Sequence, residues 1–415
     1  MKNQRATCGP ARRPSRIWRI IRGGISAPQG YLASGVAAGV KKSGLDLAVV
    51  FSVQAAAAAG VFTRNAIQAA PVLFSRKQLK LSGNRAQALL INSGCANACT
   101  GEKGLQNAAI CAGSLASLLD LERNHVLVAS TGVIGFPLPM TRMLKGIETA
   151  VSALSTRGGG AAARAIMTTD TFEKSFAVQG RIDGKAVRIG GMAKGAGMIH
   201  PDLATMIAVI TTDAWLSPAA LNRMLRRVVD RTFHCMTVDG DTSTNDTVAI
   251  FANGASGAKV EGRWTPRFEQ GLTRVCEALA KSIARDGEGA TKFVEIRVTG
   301  ASSVSDARRI GKSVARSPLV KTAIFGEEPN WGRIVCAAGY SGVGLDPSHL
   351  SVRICGVTVF RRGEPVALNR RQARQLLRPD EVRIVIDVGA GDKTATVWTC
   401  DFSREYVNIN AGYMS

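Results

Sequence analysis

The chain has 415 residues, 46% hydrophobic and 20% charged, a globular balance that excludes a disordered polypeptide. A net charge of +22 suggests nucleic acid, but aromatics are only 5% and are not interleaved with the basic residues, so a positive field for anionic small substrates is preferred. Nine cysteines without a CxxC pair, and four histidines without HxH or HxxxH spacing, exclude a classical zinc site, and no metal is expected.

Residues 1–22 carry seven Lys and Arg side chains, no acid and no apolar core segment, so they are not a secretory signal. They read as a basic N-terminal extension. The expected compartment is the cytoplasm, with an organellar matrix as the alternative that an Arg-rich, acid-free leader suggests. The longest apolar run, Leu47 to Phe62, is interrupted by Ser52 and Gln54. It falls short of the roughly 20 apolar residues that span a bilayer. It reads as a buried strand running into an Ala-rich segment, and no membrane is expected. Further short apolar runs follow at Ala88–Ile91, Val126–Ala129, Val187–Ile189, Met206–Ile210 and Val248–Phe251.

Ser217-Pro218 is an N-cap and first-turn pair. It opens a helix whose Leu221, Met224, Leu225, Val228 and Val229 share one face, while Arg223, Arg226 and Arg227 read as solvated surface. Thr265-Pro266 opens another, with Phe268, Leu272, Val275, Leu279 and Ile283 at helical spacing. Val294–Val298 and Val382–Val388 alternate as half-exposed strands do. Strands and helices mix throughout, so the expected class is an α/β (α+β) layered sandwich with sheets covered by helices. Composition marks no linker near residue 204.

The stretch richest in chemistry runs from Gly190 to Ile207, a glycine-rich basic loop leading to Thr205 and an apolar strand. A phosphate-binding loop counted from Gly191 would need Gly-Lys where Ala196-Gly197 stand, and a dinucleotide fingerprint would need glycine at His200 and a helix after it. A third reading makes Thr205 a nucleophile released by cleavage of the Ala204–Thr205 bond. Its own α-amine, with an ordinary pKa of about 7.7–8.0, would serve as base. A structural threonine at a strand start is the other reading these residues allow. The acidic run from Asp239 to Asp246 is not a calcium loop, because Thr244 and Ile250 stand where that pattern needs glycine and an acid.

Lys194-Gly-Ala-Gly-Met-Ile, ending in Leu203-Ala204-Thr205-Met206 and followed by Thr211-Thr212-Asp213, resembles the ornithine acetyltransferase (glutamate N-acetyltransferase) family. Matching runs continue from about Gly23 to the end. They include Asn92-Ser93-Gly94, Ser130–Gly135, Ile166–Thr171, Thr237–Asp246, Arg285–Lys292, Pro329–Arg333 and Tyr406–Asn410.

The resemblance implies a fold like that of the N-terminal-nucleophile aminopeptidases and self-cleavage into an α chain (23–204 after the extension 1–22) and a β chain (205–415). It also implies an α2β2 assembly and acetyl transfer from N-acetylornithine to glutamate through acetyl-Thr205. Thr131 and Gly132 match the oxyanion hole, and Thr168, Lys194, Thr205, Glu288, Asn410 and Ser415 match substrate-binding positions. The motif leaves Thr168 and Thr169 undecided between them. No cofactor is implied, and acetyl-CoA stays open as a co-substrate. The pattern is broken by Cys95 where asparagine is usual, by the spelling His200-Pro201-Asp202-Leu203, and by Ser415 where threonine is common.

Overall fold

The computed structural model describes residues 17–200, 206–369 and 375–412. Its first sheet has nine strands: β1 (Arg19–Ile21), β2 (Tyr31–Val36), β3 (Leu47–Phe62), β4 (Arg85–Cys95), β5 (Val126–Val133), β6 (Lys174–Ile182), β7 (Lys185–Lys194), β8 (Ile207–Thr212) and β9 (Thr247–Ala252). They lie in the order β1-β6-β7-β8-β9-β3-β4-β5, with β2 paired to β3. The β8–β9 and β4–β5 pairs are parallel, and the others antiparallel.

The apolar runs read from the sequence fall within these strands, except that Met206 stands one residue before β8. Leu47–Phe62 is one strand throughout, and the Ala-rich segment that the sequence places after a buried strand is its second half. Its first residues pair with β2, its last with β9, and its register against β4 breaks between Phe51 and Ala56. Small alanines there let neighbours approach on both sides of a chain that must bend at the break.

Alternation shows why the runs are so apolar. On β8, Ala208 and Ile210 join one core cluster and Ile207 and Val209 another, so both faces of the sheet are buried. Helices α1 (Ala70–Leu81), α2 (Gly101–Leu118), α3 (Met140–Ser152), α4 (Gly159–Ala165), α5 (Pro218–Arg231) and α6 (Trp264–Arg285) cover it. The Ser217 hydroxyl caps α5 by accepting from the Ala220 N–H at 3.3 Å. The helix α6 begins at Trp264, with Arg263 as its uncapped N-cap. Thr265 and Pro266 therefore sit inside the first turn, where a proline's missing N–H costs nothing.

The fold reaches further toward the N-terminus than the expected extension suggests. Trp18 is 2% exposed, donates from Nε1 to the Arg267 carbonyl at 3.0 Å, and meets Phe268 edge-on. It packs on Gly271, where an added Cβ would come within 2.4 Å of the indole. The neighbouring residues of β1 pair with β6. Charge pattern alone does not reveal such an anchor.

A second sheet holds β10 (Phe293–Ala301), β11 (Ser351–Ile354), β12 (Val357–Arg361), β13 (Glu364–Pro365), β14 (Glu381–Asp387) and β15 (Lys393–Cys400), in the order β13-β12-β11-β14-β10-β15. Helices α7 (Val304–Ala315), α8 (Pro318–Phe325) and α9 (Trp331–Gly339) share its core. The chain closes with α10 (Arg404–Gly412). The result is a mixed α/β layered sandwich. Among the described residues no helix is long and apolar enough to cross a membrane.

Candidate active site

The end of β5 carries Ser130-Thr131-Gly132, held against β4 in parallel register so that Thr131 faces Ser93 and Gly132 faces Gly94. Only glycine fits at 132. Its φ is +129°, and a Cβ would lie 2.3 Å from the Gly94 carbonyl carbon. The turn is cross-braced by side chains. Ser130 Oγ donates to Asn92 Oδ1 at 2.6 Å, and Asn92 Nδ2 donates to the Cys95 carbonyl at 2.8 Å. Asn245 then spans from the acidic loop, donating to the carbonyls of Ala96 at 2.6 Å and Ser130 at 2.8 Å. The buried Cys95 thiol donates to the Phe136 carbonyl at 3.3 Å, so the departure from asparagine leaves that group partnered.

Opposite this turn, β7 ends at Lys194, which is 2% exposed. Its ammonium donates to Thr168 Oγ1 at 2.8 Å and lies 3.7 Å from Asp170. Asp170 is the hub of the wall. One oxygen accepts from Lys174 and from the Gly195 N–H, each at 2.6 Å, and the other accepts from the Thr168 N–H at 3.0 Å. Lys174 also reaches Asp286 at 2.5 Å, and Asp286 accepts from the Thr171 N–H at 3.0 Å and from its hydroxyl.

Burial alone would raise the Asp170 carboxyl, but Lys194 and Lys174 outweigh it and hold that group well below the usual carboxylate range. Burial and the neighbouring Lys174 pull Lys194 below the usual lysine range, against the attraction of Asp170 and Glu288.

The third wall comes from the turn after α6. The Glu288 N–H donates to the Ala196 carbonyl at 2.9 Å, and its carboxylate accepts from Asn410 Nδ2 of α10 at 2.9 Å. A Cβ at Gly197 would come within 2.3 Å of that carboxylate, so the glycine-rich loop must stay bare to let Glu288 in. The same loop is pinned from below, since the Met198 and Ile199 N–H groups donate to Asp239 at 2.6 and 2.8 Å. His200 lies at its base, 3.1 Å from the Thr237 hydroxyl.

These walls enclose a cavity of about 110 Å³ lined by Thr131, Gly132, Thr168, Thr169, Lys194, Glu288 and Asn410, among others. Both threonines of the undecided pair face it, and Thr168 is the one bonded to Lys194. Ala204, Thr205 and Ser415 lie outside the described residues. The residue next to Thr205, Met206, donates its N–H to Asp246 at 3.0 Å.

The sequence reading missed Asp170, Lys174, Asp286, Asn92 and Asn245. A four-residue Asp–Lys spacing was the available signal for the first two, although that spacing usually marks a solvated pair. Among the described residues no group of three His, Cys, Asp or Glu side chains is placed to hold a metal ion. A cavity with a buried ammonium on one side and a carboxylate on the other suits a small zwitterionic ligand.

Comparison with known proteins gives concordant matches. A profile of the ArgJ family matches residues 32–415. The arginine biosynthesis bifunctional protein ArgJ of Parasynechococcus marenigrum is 46% identical over 397 residues, covering 95% of this chain and 96% of that protein. The protein of the same name from Symbiobacterium thermophilum is 48% identical over 399 residues, covering 95% and 99%. A solved ornithine acetyltransferase from Mycobacterium tuberculosis, complexed with ornithine, is 42% identical over 44% of this chain and 98% of that one, with a TM-score of 0.41.

Proposed function

Because the chain belongs to the ArgJ family, we propose a residue-by-residue account of how it moves an acetyl group. The protein is an acetyltransferase of arginine biosynthesis. The reaction read for it is transfer from N-acetylornithine to glutamate.

In the proposed course, cleavage before Thr205 frees an α-amine. The Thr205 hydroxyl attacks the acetyl carbon and passes its proton to that amine. Thr131 and the Gly132 N–H steady the oxyanion. The carbon–nitrogen bond then breaks, and the departing ornithine nitrogen takes the proton. Glutamate enters after ornithine has left, and its amine attacks the acetyl-Thr205 ester. Lys194 pairs with the substrate carboxylate and Glu288 with the side-chain ammonium of the ornithine moiety, while Thr168, Asn410 and Ser415 orient the ligand.

One observation supports this most strongly. Residues as far apart in sequence as Thr131, Lys194, Glu288 and Asn410 line a single cavity, together with Gly197 and Met198 of the glycine-rich loop. Donor-only labelling tests the reading. N-acetylornithine alone should place one acetyl group on Thr205 with a burst of ornithine, and glutamate should discharge it with ping-pong kinetics. An unmodified Thr205 with intersecting kinetics would overturn it.

The relatives' description as bifunctional supports a second donor, acetyl-CoA, tested by N-acetylglutamate formation without N-acetylornithine. The α2β2 assembly and a cytoplasmic location belong to the same proposal. Light scattering and cell fractionation test them.

A further inference from the structure

Lys41 and Lys42 stand side by side in the loop 37–46 that joins β2 to β3. Lys42 is exposed, whereas Lys41 turns inward and is half-buried. The loop is closed by the fully buried Asp46, whose carboxylate accepts from the Ala38 N–H at 2.6 Å and from the Lys41 N–H at 2.9 Å. The Asp46 carbonyl accepts from the Ser93 N–H at 2.8 Å, which fixes the loop to the end of β4.

From there the Lys41 side chain joins two walls of the cavity without lining it. Its stem lies on Gly94, where an added Cβ would come within 2.7 Å of Lys41 Cγ. Gly94 is the backbone against which Gly132 rests. The Lys41 ammonium crosses to the wall that carries Lys194 and donates to the Met167 carbonyl at 3.1 Å. Met167 precedes Thr168, the partner of Lys194. A second tie runs beside it, from Ser93 Oγ to the Ala165 carbonyl at 2.7 Å. An ammonium drawn from water to one carbonyl, in the field of another cation at Lys194, gains little stability there. Its effect is on spacing.

We infer that Lys41 is a positioning residue that sets the span between the oxyanion turn and Lys194, and with it the length of acyl amino acid that the enzyme prefers. The inference rests on the roles proposed above, with Thr131 and Gly132 at the acetyl oxygen and Lys194 at the substrate carboxylate. In an N-acetyl α-amino acid, the nitrogen and one carbon separate the acetyl carbon from the carboxylate. A site that grips both ends at a fixed distance measures that spacer. One extra methylene lengthens it by a bond of about 1.5 Å. Misplacing a reacting carbon by roughly 1 Å costs on the order of 10²-fold.

Lys41→Met keeps the stem on Gly94 and removes the donor to Met167. With N-acetylornithine its kcat/KM should fall about tenfold. With the homologue carrying one more methylene between nitrogen and carboxylate, kcat/KM should hardly change, so the preference itself falls about tenfold. Lys41→Arg restores a donor and should recover most of that preference. A merely structural role predicts otherwise, because a smaller folded fraction lowers both rates together and leaves their ratio alone.

A wild-type ratio in folded Lys41→Met overturns the inference, and so does a ratio in Lys41→Arg no better than that of Lys41→Met. Should Lys41→Met fail to fold, Lys41→Gln carries the same expectation and the same refutation, since its amide is too short to reach Met167. Lys194→Ala separates this inference from the reading beneath it. An unchanged KM for N-acetylornithine there removes the carboxylate contact itself, and not only the residue that positions it.

Discussion

Lys194, Asp170, Lys174 and Asp286 form an alternating chain of two cations and two anions, none more than 8% exposed. Neutralising one member strands the others. Asp170→Asn should cost about 3–5 kcal/mol, because two buried ammonium groups lose their shared partner. Urea unfolding at pH 7 measures it. Since the folded pKa of Asp170 lies below its unfolded value near 3.9, its contribution is complete above that value and disappears as pH falls toward the folded one. The wild-type advantage over Asp170→Asn should therefore shrink below about pH 4.

Two side chains of the cavity test the chemistry directly. Thr131→Ala should lower acetyl transfer by roughly 10²–10³ if its hydroxyl serves the oxyanion. Lys194→Ala should raise KM for N-acetylornithine. Steady-state kinetics check both. Lys194 and Glu288 became visible through the family pattern. Asp170 and Asp286 did not stand out, because a carboxylate in sequence looks the same whether it faces water or two lysines.

Elements were legible where one force decides them. The helix α5 could be read from Ser217, Pro218 and a clean apolar stripe, and its cap is where that reading puts it. The start of α6 was less legible, because Pro266 fits either the first helical position or the turn just inside it. Neither β1 nor its anchor could be read, since three residues beside a tryptophan leave no periodicity to detect. Trp18→Ala should cost about 3–5 kcal/mol by opening a void over Gly271, seen as a lowered thermal midpoint. At the other side of the sheet, Gly132→Ala asks for a carbon where the Gly94 backbone already stands. The β4–β5 turn should shift, and transfer should fall at least as far as in Thr131→Ala.

At the scale of the whole molecule, residues before and after position 204 do not form separate bodies. Strand β8 follows that position and lies between β7, which precedes it, and β9. Strand β9 in turn pairs with β3 from the first part of the chain. If the bond before Thr205 is cut, fragments of 204 and 211 residues should travel together in size exclusion and part only in denaturant. Separate elution in native buffer would contradict this. Composition could not reveal such interleaving, because hydrogen-bonded neighbours across a sheet leave no mark on the loop that joins them.

That interleaving bears on how reversible the fold can be. While the chain is continuous, a strand that must slot between two others is tethered to them, and a short tether supplies an effective concentration in the millimolar range. Once the tether is gone, regaining the same sheet is a meeting of two solutes. Diluted from urea, the uncut Thr205→Ala protein should recover with a yield indifferent to dilution. A protein cut before Thr205 should recover less the more dilute it is, and its shape would then record a history that its separated parts no longer encode efficiently.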